Sequence, residues 1–156
     1  MRRILVTGMS GTGKSSALAE LGSRGFRTVD TDEPGWMVEA EDGELLWDEE
    51  KIARLLAEDG PSLFGPSLLV GGTVRNQGRF YDRFDAVILL SAPADVILER
   101  IATRTNNPWG KSSEERDLIL EHLREVEPLL RATCTHEIDT SRPLAEVVER
   151  LVEIAS

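Results

Sequence analysis

The sequence predicts an α/β protein built on a parallel sheet with helices on both faces. Two observations carry this reading: apolar bursts of four or five residues recur along the chain, and the stretches between them show helical periodicity. A third is the punctuation after the first burst, where a glycine-rich turn opens into a helix-forming stretch. The bursts fall at 3–7, 26–30, 67–70, 86–90 and 136–139, which gives five strands. Helices are expected near 14–24, 45–57, 93–103, 113–131 and 143–155. In the fourth, Ile119, Leu123, Val126 and Leu130 repeat at helical spacing, and Ser112 with Glu115 makes a capping box at its start. Pro128 should kink or end that helix, because it lacks an N–H and crowds the Arg124 carbonyl. Pro143 suits the first turn of the last helix. The stretch 31–38 is the least regular, and the acidic residues that follow it to Glu50 read as either a flap or a solvated loop.

Composition narrows the function. The chain has 156 residues, 40% of them hydrophobic, which fits one domain with a real core. With 18 Lys and Arg against 28 Asp and Glu, the formal net charge is −10, which argues against broad binding to a nucleic-acid backbone. A single cysteine, Cys134, cannot close an internal disulfide, and no Cys or His pair has zinc spacing, so a cytoplasmic protein is expected. The apolar run at 4–6 is too short for a signal peptide, and no run reaches membrane-spanning length.

The strongest motif is Gly8-Met9-Ser10-Gly11-Thr12-Gly13-Lys14-Ser15, which matches G-x-x-x-x-G-K-[ST] between a strand and a helix. The glycines let successive N–H groups converge, and the helix N-terminus adds partial positive charge, so an anion should sit in the ring. Gly8, Ser10, Gly11, Thr12, Gly13, Lys14, Ser15 and Ser16 are therefore the candidate phosphate-binding set. Lys14 would reach the β- and γ-phosphates and the Ser15 hydroxyl would ligate Mg²⁺.

On this motif the chain resembles the P-loop nucleotide-binding proteins, and more narrowly the small kinases related to adenylate, cytidylate/uridylate and shikimate kinases. The resemblance implies a five-stranded parallel sheet in the order 2-3-1-4-5, and transfer of the γ-phosphoryl group of ATP, with Mg²⁺, to a small acceptor. An acceptor region of about 31–83 and a lid of about 104–113 go with it.

Three further segments extend the resemblance. Asp30-Thr31-Asp32 follows the second strand, and carboxylates at i and i+2 project from one side of an extended chain into the crevice. As in the Asp-x-Asp of shikimate kinases, Asp30 would lie nearer the metal and Asp32 nearer the acceptor hydroxyl, whose proton it could take. Gly71-Gly72-Thr73-Val74-Arg75-Asn76-Gln77 follows the third strand. Its tail is similar to the R-N-Q of nucleoside monophosphate kinases, in which arginine grips the acceptor phosphate and glutamine reads the base, here Arg75 and Gln77. Gly71 stands where a Walker B aspartate would be, and Gly71 with Gly72 lets an acceptor lie against the backbone, as in shikimate and gluconate kinases. Arg100 and Arg104 share a helix face before an Asn/Pro/Gly turn that ends in Lys111. By likeness Arg100 lies against adenine and Arg104 reaches the phosphates. Trp109 could anchor the lid or offer a stacking surface. Ser141, Arg142 and Pro143, after the fifth strand, are candidates for the purine slot.

The catalytic set expected from the sequence is thus Lys14, Asp32 and Arg104, with Ser15 and Asp30 at the metal and Asp32, Gly72, Arg75 and Gln77 at the acceptor. A nucleoside monophosphate is the first choice of acceptor and a shikimate-like or sugar-like hydroxyl metabolite the second. A P-loop NTPase switch acting on a protein partner is the alternative class; no guanine-reading N/T-K-x-D segment is visible. A binding module without chemistry is the third, and Lys14, Ser15, Asp32, Arg100 and Arg104 argue against it.

Overall fold

Alternation along three central strands divides their side chains between two cores. In the first, β1 (Arg2–Thr7), Ile4 and Val6 face one side and Leu5 the other. In β5 (Ser67–Gly71), Leu69 joins the first core while Leu68 and Val70 join the second. In β6 (Ala86–Ser91), Ala86, Ile88 and Leu90 face the first. A strand buried on both faces reads as a continuous apolar run, which is how these three read in sequence.

This structure is a computed structural model that describes residues 2–58, 67–105 and 107–156. Met1, the 59–66 part of the expected acceptor region and Asn106 of the expected lid lie outside the described residues. The main sheet has the order β2-β5-β1-β6-β7, with β2 at Arg27–Asp30 and β7 at His136–Asp139. All four neighbouring pairs are parallel, with Leu5 opposite Val70 and Val87, for example. Counted among these five strands alone, the order is the expected 2-3-1-4-5.

Helices α1 (Lys14–Ser23) and α6 (Leu144–Ala155) cover the first face through Leu18, Leu21, Val148 and Leu151. Helix α2 (Glu49–Ala57) covers the second through Ile52, Leu55 and Leu56. Above the sheet, α3 (Ala94–Thr103) and α4 (Ser113–Glu125) meet through Ile97, Ile101 and Ile119. The Glu115 N–H donates to the Ser112 hydroxyl at 3.1 Å, the cap expected from sequence. The chain then breaks at Val126 and resumes as α5 (Glu127–Thr133), with Pro128 in its first turn, where its missing N–H leaves no helical acceptor unpaired.

Two expectations need correction. The helix read at 45–57 begins only at Glu49, where the Asp48 side chain accepts from the Lys51 N–H at 3.3 Å. Residues before it form β4 (Leu45–Trp47), which pairs antiparallel with β3 (Met37–Glu39) across the stretch read as irregular. Trp47 drives this, since its ring is 1% exposed and lies edge-on to Phe80 at 5.9 Å between centroids. Its indole N–H donates to the Thr31 hydroxyl at 2.9 Å, and that hydroxyl donates to the Gly71 carbonyl at 2.7 Å. The hairpin is thus pinned to the ends of β2 and β5.

Gly72 leaves the room for this packing: a Cβ there would overlap the Thr31 hydroxyl and lie 3.1 Å from the Trp47 indole nitrogen. Gly72→Ala should therefore destabilise the protein by about 1–3 kcal/mol, the usual cost of forcing a methyl into a filled core. Urea unfolding followed by Trp fluorescence measures it, and an unchanged midpoint would refute the account.

Candidate functional site

The phosphate loop grows directly out of β1, and backbone geometry fixes its start. Gly8 has φ 153°, and a Cβ on it would overlap the Leu90 carbonyl oxygen of the adjacent strand. The Thr73 hydroxyl, from the segment after β5, accepts from the Gly8 N–H at 3.1 Å and lies 2.5 Å from the Gly8 carbonyl oxygen. Thr12 is fully buried and closes the loop, its hydroxyl donating to the Met9 carbonyl at 2.7 Å. Met9 itself packs on Leu89 and on Leu130 of α5. Gly13, with φ 91°, leads into α1, and no side chain caps that helix start. Its first N–H groups are left for a ligand.

Residues 9–16 line a cleft of about 480 Å³ with Asp32, Arg100, Arg104 and Arg142. Ser10, Gly11, Thr12, Gly13, Lys14, Ser15 and Ser16 are all on its wall, and Gly8 is buried at the start of the loop. The Lys14 ammonium turns back onto the loop, donating to the carbonyls of Gly8 and, at 3.4 Å, Met9. Burial pulls its pKa below the ordinary lysine value, against the opposing pull of Asp32 and Asp30. The Ser15 hydroxyl donates to Asp30 Oδ2 at 2.7 Å, and Asp30 Oδ1 accepts from the Asp32 N–H at 3.0 Å. One carboxylate thereby links the start of α1 to the turn that carries the next. Asp32 stands at the open edge of the cleft. The protein around it raises its pKa above the usual aspartate value, with Lys14 opposing and Asp30 adding to the rise.

The far wall is cationic. Arg100 of α3 donates to the Gly11 carbonyl at 3.4 Å, to the Thr140 hydroxyl at 3.1 Å and to the Thr140 carbonyl. It bridges the phosphate loop to the turn after β7. Arg104 is held by its own loop, donating to the carbonyls of Asn107 at 3.1 Å and Trp109 at 2.6 Å, while Lys111 donates to the Arg104 carbonyl at 2.7 Å. Trp109 is 39% exposed and Gly110 packs against Ile101, so the expected lid is a short turn folded onto α3. Arg142 is exposed on the cleft rim, 3.9 Å from Glu146.

The structure does not bring the expected acceptor residues together. Gln77 is 2% exposed and its amide is spent internally: the oxygen accepts from the Val74 N–H at 3.0 Å, and the nitrogen donates to Thr7 Oγ1 at 3.1 Å and Tyr81 Oη at 2.9 Å. With no free edge, it cannot read a base from this position. Arg75 points to the β3–β4 hairpin, 3.0 Å from Asp42 and 2.6 Å from Glu44. Sequence reading missed Thr31, Thr73 and Thr140, which tie the strand ends to the site. Their signal was position, because each lies one or two residues past the carboxyl end of a strand.

The model of a family described as an AAA domain matches residues 4–121. The chain belongs to this P-loop family. An Archaeoglobus fulgidus protein provisionally named an adenylate kinase is 30% identical over 158 residues, covering 97% of this chain and 80% of that one. A nucleotide-binding protein of Burkholderia cenocepacia is 30% identical over 173 residues, covering 98% of this chain and 52% of that one. The chain thus spans about half the length of the Burkholderia relatives. Among solved structures, shikimate kinase from Acinetobacter baumannii in complex with shikimate superposes with TM-score 0.66 at 17% identity, covering 99% of this chain and 92% of that one. A gluconokinase from Sinorhizobium meliloti superposes at 0.67 with 20% identity, covering 99% and 93%. The AAA-domain chain therefore has the fold of small P-loop kinases. No helix among its described residues is long and apolar enough to cross a membrane.

The raised pKa of Asp32 sets the sign of a stability effect. Its ionised form is less favourable in the folded than in the unfolded protein. The resulting cost is absent below the unfolded aspartate pKa of 3.8 and is complete once pH exceeds the higher folded value. Asp32→Asn should therefore raise Tm at pH 7, and the gap from the parent should close as pH falls below the ordinary aspartate range. Thermal unfolding across that range checks this; a Tm lowered at pH 7 would contradict it.

Proposed function

We propose that the protein is an ATP- and Mg²⁺-dependent phosphotransferase that passes the γ-phosphoryl group to a small acceptor meeting Asp32. The observation that carries this is the convergence of Lys14, Ser15, Asp30 and Asp32 where an uncapped helix start opens into the cleft. The nucleotide-binding relatives and the kinase fold support it.

The residues fit the groups this function needs. Amides at 9–15 and the start of α1 suit a polyphosphate, and Lys14 would exchange loop carbonyls for phosphate oxygens. Among the described residues no three or more His, Cys, Asp and Glu side chains cluster as a metal cage. Ser15 with Asp30 instead suits Mg²⁺, which keeps several waters and is shared with phosphates. When bound, that ion would neutralise charge on the phosphates. Arg100 would hold the phosphate loop to the base end of the cleft, where Thr140 and Arg142 border the nucleotide. Arg104, on the short lid turn, would release the carbonyls of 107 and 109 to meet the transferring group and help exclude water. Asp32 would accept the acceptor's hydroxyl proton. Its raised pKa makes it a better base than a solvated aspartate.

A hydroxyl metabolite now replaces a nucleoside monophosphate as the favoured acceptor, because the two residues assigned to phosphate and base, Arg75 and Gln77, are engaged elsewhere. Gly71 and Gly72 do not offer it the surface expected from the sequence, because both are buried, with Leu18 filling the space a Cβ would take at Gly71 and Thr31 and Trp47 filling it at Gly72.

Lys14→Ala should lower kcat by at least about 10²-fold, the scale of removing a positioned charge from a transition state. Asp32→Asn should lower kcat by a similar factor while ATP affinity in calorimetry stays within about threefold. The acid limb of kcat should lie above the ordinary aspartate range. ADP release that no acceptor accelerates would instead favour a hydrolase or switch.

A further inference from the structure

The segment after β5 carries a buried glutamine, and its bonds lead step by step to the phosphate loop. Gln77 is 2% exposed, and Thr7, at the end of β1, is fully buried. The Val74 N–H can only donate, so the end of the Gln77 amide that it meets at 3.0 Å is the oxygen. The other end is the nitrogen, whose two hydrogens go to Thr7 Oγ1 at 3.1 Å and Tyr81 Oη at 2.9 Å. Thr7 Oγ1 lies 3.1 Å from Thr73 Oγ1. Thr73 Oγ1 in turn lies 2.5 Å from the Gly8 carbonyl oxygen and accepts from the Gly8 N–H at 3.1 Å.

The supply of hydrogens gives this chain a direction. A carbonyl only accepts, so the single hydrogen of the Thr73 hydroxyl lies on the Gly8 oxygen. Thr73 has none left for Thr7, and the hydrogen between the two hydroxyls belongs to Thr7. Thr7 can give it away because Gln77 approaches with a donor. The order is therefore Gln77 to Thr7 to Thr73 to the Gly8 carbonyl, each bond supporting the next. Gly8 is buried, and its carbonyl also accepts from the Lys14 ammonium. Thr73 and Lys14 thus share one acceptor at the start of the loop.

We infer that Thr73 and Gln77 are positioning residues for nucleotide binding: the Thr73 hydroxyl keeps the Gly8 carbonyl paired when Lys14 leaves it for a phosphate, and Gln77 orients that hydroxyl through Thr7. This rests on the phosphotransferase reading, in which Lys14 exchanges loop carbonyls for phosphate oxygens. A buried carbonyl stripped of its donors is costly, so the exchange is opposed unless one donor stays behind. Neither residue lines the cleft, and both act through the loop. Gln77→Glu isolates the orientation from the packing. Its carboxylate can accept from Val74, Thr7 and Tyr81 alike, so every neighbour keeps a partner. Thr7 must then turn its hydrogen toward position 77, and Thr73 is left with one hydrogen for both Thr7 and Gly8.

The test is calorimetry with MgATP on the parent, Thr73→Val, Thr73→Ser, Gln77→Glu and the double variant Thr73→Val, Gln77→Glu, after thermal unfolding shows each is folded. Thr73→Val keeps the shape and loses the hydroxyl, and should weaken binding about tenfold, the scale of one hydrogen bond, while Thr73→Ser stays within about threefold of the parent. Gln77→Glu should also lose about tenfold. The two losses should not add in the double variant, because both act on one hydroxyl, whereas simple repulsion of phosphate by the new carboxylate would multiply them. Parent-like affinity in Thr73→Val or Gln77→Glu, equal losses in Thr73→Ser and Thr73→Val, or losses that multiply, overturn the inference and leave the phosphotransferase standing. The Thr73 pair decides by itself if Gln77→Glu does not fold. A folded parent that takes up no MgATP overturns both.

Discussion

The contact on which the site depends is the passage of Gly8 against the Leu90 carbonyl, a separation that only a residue without a side chain can keep. It brings the end of β1 beside β6 at the point where the chain must reverse and start α1. The Thr73 hydroxyl holds the same residue from the other side, so the loop is braced by both strands that flank β1. With its first residue fixed and Thr12 closing it internally, the loop delivers Lys14 and Ser15 to one place. Ser15 then holds Asp30, and Asp30 holds the backbone of Asp32. A chain of short bonds thus runs from a steric constraint in the sheet to the carboxylate at the cleft edge. Looseness at the first link would reach every later one.

The parts of the fold legible in the sequence are those set by local pattern. All five strands of the main sheet fall within a residue of where their apolar runs place them, and in the three central ones burial on both faces leaves an uninterrupted signature. The break near Pro128 was legible for an equally local reason, the missing N–H. The β3–β4 hairpin was not. Each strand has three residues, too few to show alternation, and the Leu45-Leu46 pair runs on naturally into the apolar stripe of α2. What separates them is Asp48 as a cap and Trp47 as an anchor. The anchor's partners Thr31 and Phe80 are distant in sequence.

The candidate site divides along the same line. The phosphate loop is contiguous, so its eight residues state both their chemistry and their neighbours. Arg75 and Gln77 are also contiguous with a recognisable motif, yet their environment comes from elsewhere. Asp42 lies 33 residues from Arg75, and Thr7 lies 70 residues from Gln77. A side chain's type is local information, whereas its free valence depends on tertiary partners, and the acceptor side is where the two diverge.

Charge sets the cleft apart from the rest of the chain. In a protein of net charge −10, Lys14, Arg100, Arg104 and Arg142 gather around one cleft, with Asp32 among them. Burial works against ionisation at both Lys14 and Asp32, and the attraction between the two opposes it. A polyphosphate in the loop would add counter-charge at Lys14 to that of Asp32 and Asp30 and would be repelled by both carboxylates.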